Sequence, residues 1–276
     1  MAEATTRTRR AVFYGVMALV IAAQVITLVE LAGVTLRSVP AVLGVVGVAV
    51  IAAAFVGFRR GEPEQRDLGH WPLIGFGVWA VWGALYFGAA AITVPGTART
   101  FDDFVLDAMP LKPAFATVSL SVHVFSLLPY CILPEPRLLR RYMLGNLLLI
   151  GGCAIFWVGL PVRLDHPASL DGVEGFGASM LRWVYAHDLT TNCFPSAHTA
   201  ITLYAAIALR KVSRALFWWG FASAALVTVA VLSVRQHYLG DTGMGNTLAA
   251  LMAWAVSRPR AGGSSTSSSA KPRAGA

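Results

Sequence analysis

Two short stretches hold residues whose types and spacing could do chemistry: "NCFPSAHTA" at 192–200 and "SVRQHYLGDTGMG" at 233–245. In the second, His237 and Asp241 stand four residues apart, so one helical turn puts them on one face. A carboxylate so placed can accept a hydrogen bond from one imidazole nitrogen. That fixes the tautomer and leaves the other nitrogen as a directed lone pair, the arrangement a nucleophilic histidine needs. In the first stretch, Pro195 favours the first turn of a helix. The amides of Ser196, Ala197 and His198 would then point outward and, with the Ser196 hydroxyl, form an anion site. His198 in that turn is positioned to give a proton to a leaving oxygen. Arg163, Arg182 and Arg235 are the nearby cations, and a guanidinium bonds two phosphate oxygens at once. An anion cradle, an acid, an oriented nucleophile and positive charge together describe phosphoryl transfer. Arginine and helix amides supply the stabilisation, so no metal or other cofactor is called for, and the acidic residues are too scattered to suggest a metal cage.

The elements that must position these residues are apolar. The chain has 276 residues, is 56% hydrophobic and 13% charged, and has a mean hydropathy of +0.63. A soluble domain carries about 25% charged residues. Windows of about 20 residues predict eight spans, at 11–35, 39–58, 71–94, 114–134, 142–161, 194–210, 214–234 and 237–256. The first reads as a retained helix, not a cleaved signal. The fold expected is an all-α, polytopic membrane helix bundle. Residues 1–70 would form a hairpin of two spans with a cytoplasmic loop. Residues 71–256 would form a six-helix catalytic core, and 257–276 a disordered cytoplasmic tail.

The net charge of +8 does not point to nucleic acid, because its distribution has another meaning. Segments 1–10, 59–66, 137–141, 210–214 and 258–273 hold 16 of the 22 Lys and Arg. These are alternate connections and both termini, as the positive-inside rule requires of eight spans with cytoplasmic ends. Both chemical stretches then fall on the extracytoplasmic face. Cys131, Cys153 and Cys193 lack metal spacing and read as small buried hydrophobes.

Other polar residues carry milder expectations. Glu30 reads as interfacial and His70 as a surface residue. The outer loop at 95–113 holds Asp102, Asp103 and Asp107, candidates for a headgroup or a cation. The outer loop at 162–193 predicts a short amphipathic helix near 176–186 that could cover a site. Its pairs Asp165–His166 and His187–Asp188 read mainly as loop polarity. His123, within a span, could line a lipid path or bond a neighbouring helix.

At Pro195-Ser196-Ala197-His198 and His237-x₃-Asp241 the chain resembles the type 2 phosphatidic acid phosphatase superfamily of lipid phosphate phosphatases and phosphotransferases. It differs by Ala197 where the family has Gly, and by lacking the family's K-x₆-R-P motif. "FPSAH", "QHYxxD" and "FDDFVLDAMP" look most like the branch containing inositol phosphorylceramide synthases. The resemblance covers about 71–256. It implies that His237 attacks phosphorus, Asp241 orients it, and His198 protonates the leaving group. Ser196, Ala197, Arg235 and Arg163 are the candidate phosphate ligands. The implied partners are a lipid phosphate and membrane lipids, with water or an alcohol such as inositol as acceptor. Hydrolysis and headgroup transfer, which would make an inositol phospholipid or sphingolipid, both stay open. A transporter is the alternative of another class; against it, the ionisable residues lie at one face and hardly at mid-depth.

Overall fold

A computed structural model describes residues 2–33, 71–94, 96–167 and 169–257. The expected span at 39–58, His70 and the tail lie outside the described residues. Among the described residues ten α-helices follow one another: α1 (Ala2–Leu31), α2 (Trp71–Ile92), α3 (Phe104–Ala108), α4 (Ala116–Phe125), α5 (Leu128–Ile132), α6 (Pro136–Gly159), α7 (Phe176–His187), α8 (Ala197–Leu209), α9 (Arg214–Ser233) and α10 (Leu239–Ser257). The fold is all-helical. Four helices are long and apolar enough to cross a membrane, at Ala11–Leu31, α2, α6 and α9. This is consistent with a polytopic membrane bundle. Its outside is apolar too, with Leu73, Phe87, Ile155, Trp218 and Trp254 all exposed.

Four such helices among the described residues are fewer than the eight spans expected, and the differences have local causes. The stretch at 114–134 is two helices. Pro129 has no amide to give and would crowd the carbonyl four residues back, so α4 stops at Phe125 and α5 begins again at Leu128. The stretch at 194–210 yields α8, whose 13 residues span about 20 Å, short of the ~30 Å hydrocarbon thickness. The stretch at 237–256 is one helix, but Asp241, Thr242, Asn246 and Thr247 make it less apolar.

Short α8 is central. Ala200, Ile201, Ala205, Ala206 and Leu209 are buried, and α4, α5, α6, α9 and α10 all pack on it. Small residues let the backbones approach, as in membrane bundles generally. A Cβ at Gly220 of α9 would lie 3.1 Å from the Ala206 Cβ, and one at Gly145 of α6 would collide with the Tyr204 hydroxyl.

Helix α1 is tied to this core by polar bonds. Gln24 Nε2 donates to Ser223 Oγ at 2.7 Å, and the Thr27 and Thr117 hydroxyls meet at 2.5 Å. Glu30 accepts from the amides of Phe176 (2.7 Å) and Gly177 (2.9 Å). It thereby caps α7 from another helix, placing a carboxylate at the positive end of the helix dipole. Its role is a cap across helices, more specific than the interfacial one its sequence suggests. Hydrogen bonds to a charged group contribute about 1.5–3 kcal/mol. Glu30→Ala should therefore lower stability by about 2 kcal/mol, and Glu30→Gln by less, read from unfolding midpoints in detergent.

Candidate active site

Local backbone chemistry delivers each histidine. Helix α9 ends in a Schellman motif: the Gln236 amide donates to Val231 O at 2.9 Å and the Arg235 amide to Leu232 O at 3.1 Å. Arg235 occupies the left-handed position of that motif, at φ 54, where glycine is usual. The turn throws Gln236 and His237 inward, and both are buried. Asp241 then reaches back to the Tyr238 amide at 2.8 Å, the N3 half of a capping box that starts α10. Asp103 stitches the loop at 96–113 to the same point. Its Oδ1 caps α3 at Val105 and Leu106, and its Oδ2 accepts from the Leu239 amide at 2.5 Å.

Helix α8 starts two residues later than Pro195 suggests. Ser196 is the N-cap, accepting from the Thr199 amide at 3.4 Å, and Pro195 precedes it. Ser196 is fully buried and its own amide donates to the Asp241 carbonyl at 3.0 Å. Its hydroxyl thus holds the helix start. The first-turn amides of Ala197 and His198, which lack partners one turn back, remain for an anion. Helix α10 lies hard against this turn: a Cβ at Gly245 would sit 2.3 Å from Ser196 O and 2.6 Å from Thr199 Oγ1.

The result brings the two histidines into contact. His198 Nδ1 lies 3.2 Å from His237 Nε2. His237 Nδ1 lies 2.9 Å from the Cys193 carbonyl oxygen and 3.7 Å from Asp241 Oδ2. A carbonyl can only accept, so His237 carries its proton on Nδ1. Nε2 is then the lone pair, and His198 Nδ1–H donates to it. The orienting bond expected from Asp241 is thus made by the Cys193 carbonyl, with the Asp241 carboxylate just behind it. Cys193 is placed by parallel β-bridges that join Arg99 to Val162 and Val162 to Asn192. The two histidines end a row of rings, with His123 tilted against Trp82 (4.6 Å between centroids) and 5.9 Å from His198. His123 Nδ1 accepts from Trp79 Nε1 at 3.3 Å.

The expected arginines are engaged elsewhere. Arg235 donates to the carbonyls of Leu106 and, at 2.8 Å, Met109, closing the end of α3. Arg182 donates to Leu170 O at 3.2 Å and to Val173 O. Arg163 pairs with Asp165 at 3.0 Å, both side chains substantially exposed. An exposed pair of this kind is worth at most about 1 kcal/mol, so Arg163 is easily released. Its carbonyl accepts from the Tyr238 hydroxyl at 3.0 Å, next to His237.

The histidines open on a narrow pocket with room for about one water, closed by Trp82 and Tyr86 of α2, Trp157 of α6, Asp188, Asn192 and Gln236. Sequence reading missed most of this wall. Asp188, taken as loop polarity, accepts from the Tyr86 hydroxyl and lies 3.4 Å from His166 Nε2. Burial lowers the His166 pKa, with Asp188 and Asp165 pulling the other way. Asn192 and Gln236 lie in the two stretches that hold the histidines, but their types alone assign them no role.

Among the described residues, Cys193, His237 and Asp241 form the group whose donor atoms lie close enough to hold a metal ion. Metal binding needs the thiolate. Here burial first, then Asp241 and Asp188, raise the Cys193 thiol pKa well above its usual value. Its Sγ donates to Thr190 O (3.3 Å) and Gln236 O (3.6 Å), so the group reads as a hydrogen-bonded brace. At pH 8, maleimide should leave Cys193 unlabelled in the folded protein and label it once detergent denaturation exposes it, as read by mass spectrometry. Gly245→Ala should cost about 1–3 kcal/mol by overpacking, measured as a lower unfolding midpoint. The chain matches no protein-family model, no curated protein and no solved structure.

Proposed function

We propose that the chain is an integral membrane enzyme that breaks a lipid phosphate ester or diphosphate through a phosphohistidine on His237, acting as a lipid phosphatase or phosphotransferase. The observation that carries this reading is the direct approach of His198 Nδ1 to a His237 Nε2 lone pair at 3.2 Å, with the tautomer set by the Cys193 carbonyl. A phosphoryl group entering between the two rings meets a nucleophile on one side and a proton donor on the other. His237 Nε2 attacks phosphorus, and the bond to the leaving oxygen breaks. The imidazolium form of His198 gives that oxygen its Nδ1 proton and is left neutral. Water or an alcohol then attacks phosphorus, its proton passes to His198 Nδ1, and the P–N electron pair returns to His237. Asp241, 3.7 Å from His237 Nδ1, stabilises the positive charge that develops on the ring during the first attack. Ala197 and His198 amides and Arg163, once released from Asp165, stabilise the phosphate. The Arg235 guanidinium keeps to its carbonyls, and Ser196 to its cap.

The resemblance to the type 2 phosphatidic acid phosphatase superfamily supports this assignment of roles. So does the shortness of α8. If its inner end at Arg210 and Lys211 rests at the cytoplasmic boundary, His198 lies some 10 Å below the outer one, within reach of a lipid ester bond. In this reading residues 71–256 are the catalytic core of a polytopic membrane protein, both termini are cytoplasmic, and the site faces outward.

The test is phosphate release and new lipid product from a panel of lipid phosphates, with purified protein in detergent. His237→Ala should abolish turnover and phosphoenzyme formation in a folded protein. His198→Ala should slow turnover by about 10²–10⁴-fold, with the loss smallest for good leaving groups. Arg163→Ala should chiefly raise KM, whereas Arg235→Ala should chiefly lower the unfolding midpoint. A folded wild-type protein that releases neither phosphate nor a new lipid across the panel would sink the enzyme reading in favour of transport.

A further inference from the structure

A second groove lies at the opposite end of α8 from His198, where α6, α8 and α10 meet. Its volume is about 130 Å³, room for roughly ten waters. Leu133, Leu138, Ile207 and Val256 give it apolar walls, and the ring of Tyr204 stands among them. Two cations complete the lining: Arg141 of α6 and Lys211, just beyond α8. Both are exposed. The wall beside them is firmly built. Tyr204 stacks on Tyr142, with 5.2 Å between ring centroids and 8° between planes, and its hydroxyl lies over Gly145 where no Cβ would fit.

The charge around this groove has one sign. Segments 133–141, 207–214 and 253–257 hold Arg137, Arg140, Arg141, Arg210, Lys211 and Arg214 against a single acid, Glu135. No ion pair among the described residues involves Arg141 or Lys211. The stretch after Ser257 does not supply the missing anion, since residues 258–276 carry four Lys and Arg and no Asp or Glu. Like charges gathered at one place repel until an anion joins them. The apolar walls say which anion. A soluble one would leave them wet, whereas a lipid brings a charged head and apolar chains together and buries both surfaces. Arginine's planar fork bonds two oxygens of a phosphodiester, and lysine adds a mobile point charge. In the orientation proposed above, this end of α8 rests at the cytoplasmic boundary. Basic pockets between helices at that level suit anionic headgroups.

We infer that the groove is a binding site for an anionic phospholipid of the cytoplasmic leaflet. Arg141 and Lys211 hold its phosphate, and its chains lie on the apolar walls. The lipid clamps the inner ends of α8 and α10, the two helices whose outer ends set the histidine pair. The inference uses the proposed orientation and does not depend on the phosphohistidine reading.

The test titrates the full-length protein, in a neutral detergent, with phosphatidylglycerol, phosphatidylcholine or glycerol phosphate. Native mass spectrometry reads bound lipid, and thermal shift reads the unfolding midpoint. The wild type should bind phosphatidylglycerol about tenfold or more tightly than phosphatidylcholine, and its midpoint should rise on binding. Arg141→Gln with Lys211→Gln should cut that preference below about threefold. Arg137→Gln with Arg140→Gln removes equal charge from outside the groove and should preserve it. His237→Ala should bind the lipid as the wild type does, because its site lies at the other end of α8. Equal losses in the two double variants would reveal a diffuse basic surface and overturn the inference. Equal binding of the two phospholipids would overturn it too, as would a midpoint rise of the same size with glycerol phosphate alone. Lipid binding lost in His237→Ala would move the lipid to the histidines and also overturn it. None of these readouts involves turnover, so the phosphohistidine reading stands or falls separately.

Discussion

The closeness of α8 and α10 is the constraint on which everything at this site depends. Two imidazoles from positions 39 residues apart touch because Gly245 has no side chain to hold the helices apart. One bond of the contact is backbone to backbone and one runs from a side-chain hydroxyl to backbone. The Asp241 carbonyl receives the Ser196 amide at 3.0 Å, and the Thr242 carbonyl receives Thr199 Oγ1 at 3.3 Å. Such bonds are short, directional and shielded from competition with water, so they fix the two helix starts relative to each other. Where two backbones are pinned this way, the side chains that leave them have few rotamers to choose from. The pairing of His198 with His237 is thus a result of main-chain packing.

The same economy runs through the neighbouring turns, where several polar groups serve backbone. Asp103 caps one helix and touches the start of another, Asp241 starts α10, Ser196 starts α8, and Arg235 closes α3. Each was a candidate for chemistry by type alone. In an apolar surrounding an unsatisfied helix terminus is costly, so helix ends recruit the nearest polar side chain. Two features stand apart from this pattern: the facing nitrogens of His198 and His237, and the exposed Arg163, whose guanidinium pairs with Asp165.

Part of this was legible in one sequence. Local periodicity and sharply apolar blocks betrayed the helices and the membrane bundle. The motif around His198 and the four-residue step from His237 to Asp241 picked out the two residues that meet, because helical spacing is a local property. The number of crossing helices was less legible. Hydropathy windows ignore where Pro129 breaks the 114–134 stretch and do not notice that α8 is only 13 residues long. Most of the pocket wall was not legible. Trp82 and Tyr86 come from a helix more than 100 residues before the histidine of the second motif, and Asp188 from a long outer loop. No spacing rule links them, and only the β-bridges through Arg99, Val162 and Asn192 carry that loop to its place. The Cys193 carbonyl could not have been found either, since any residue can supply one.

Helix α7 has a consequence of its own. Its first turn is held by Glu30 and its middle by the Tyr185 hydroxyl on the Val234 carbonyl at 2.8 Å. Its end is held by Asp188 on Tyr86 and His166. Lifting it would break several bonds to charged groups at about 1.5–3 kcal/mol each, and every 1.4 kcal/mol thins the lifted population tenfold. The outer segment is therefore a fixed roof and not a swinging door. Any approach to the histidines that leaves α7 in place therefore depends on the packed side chains of the pocket wall giving way.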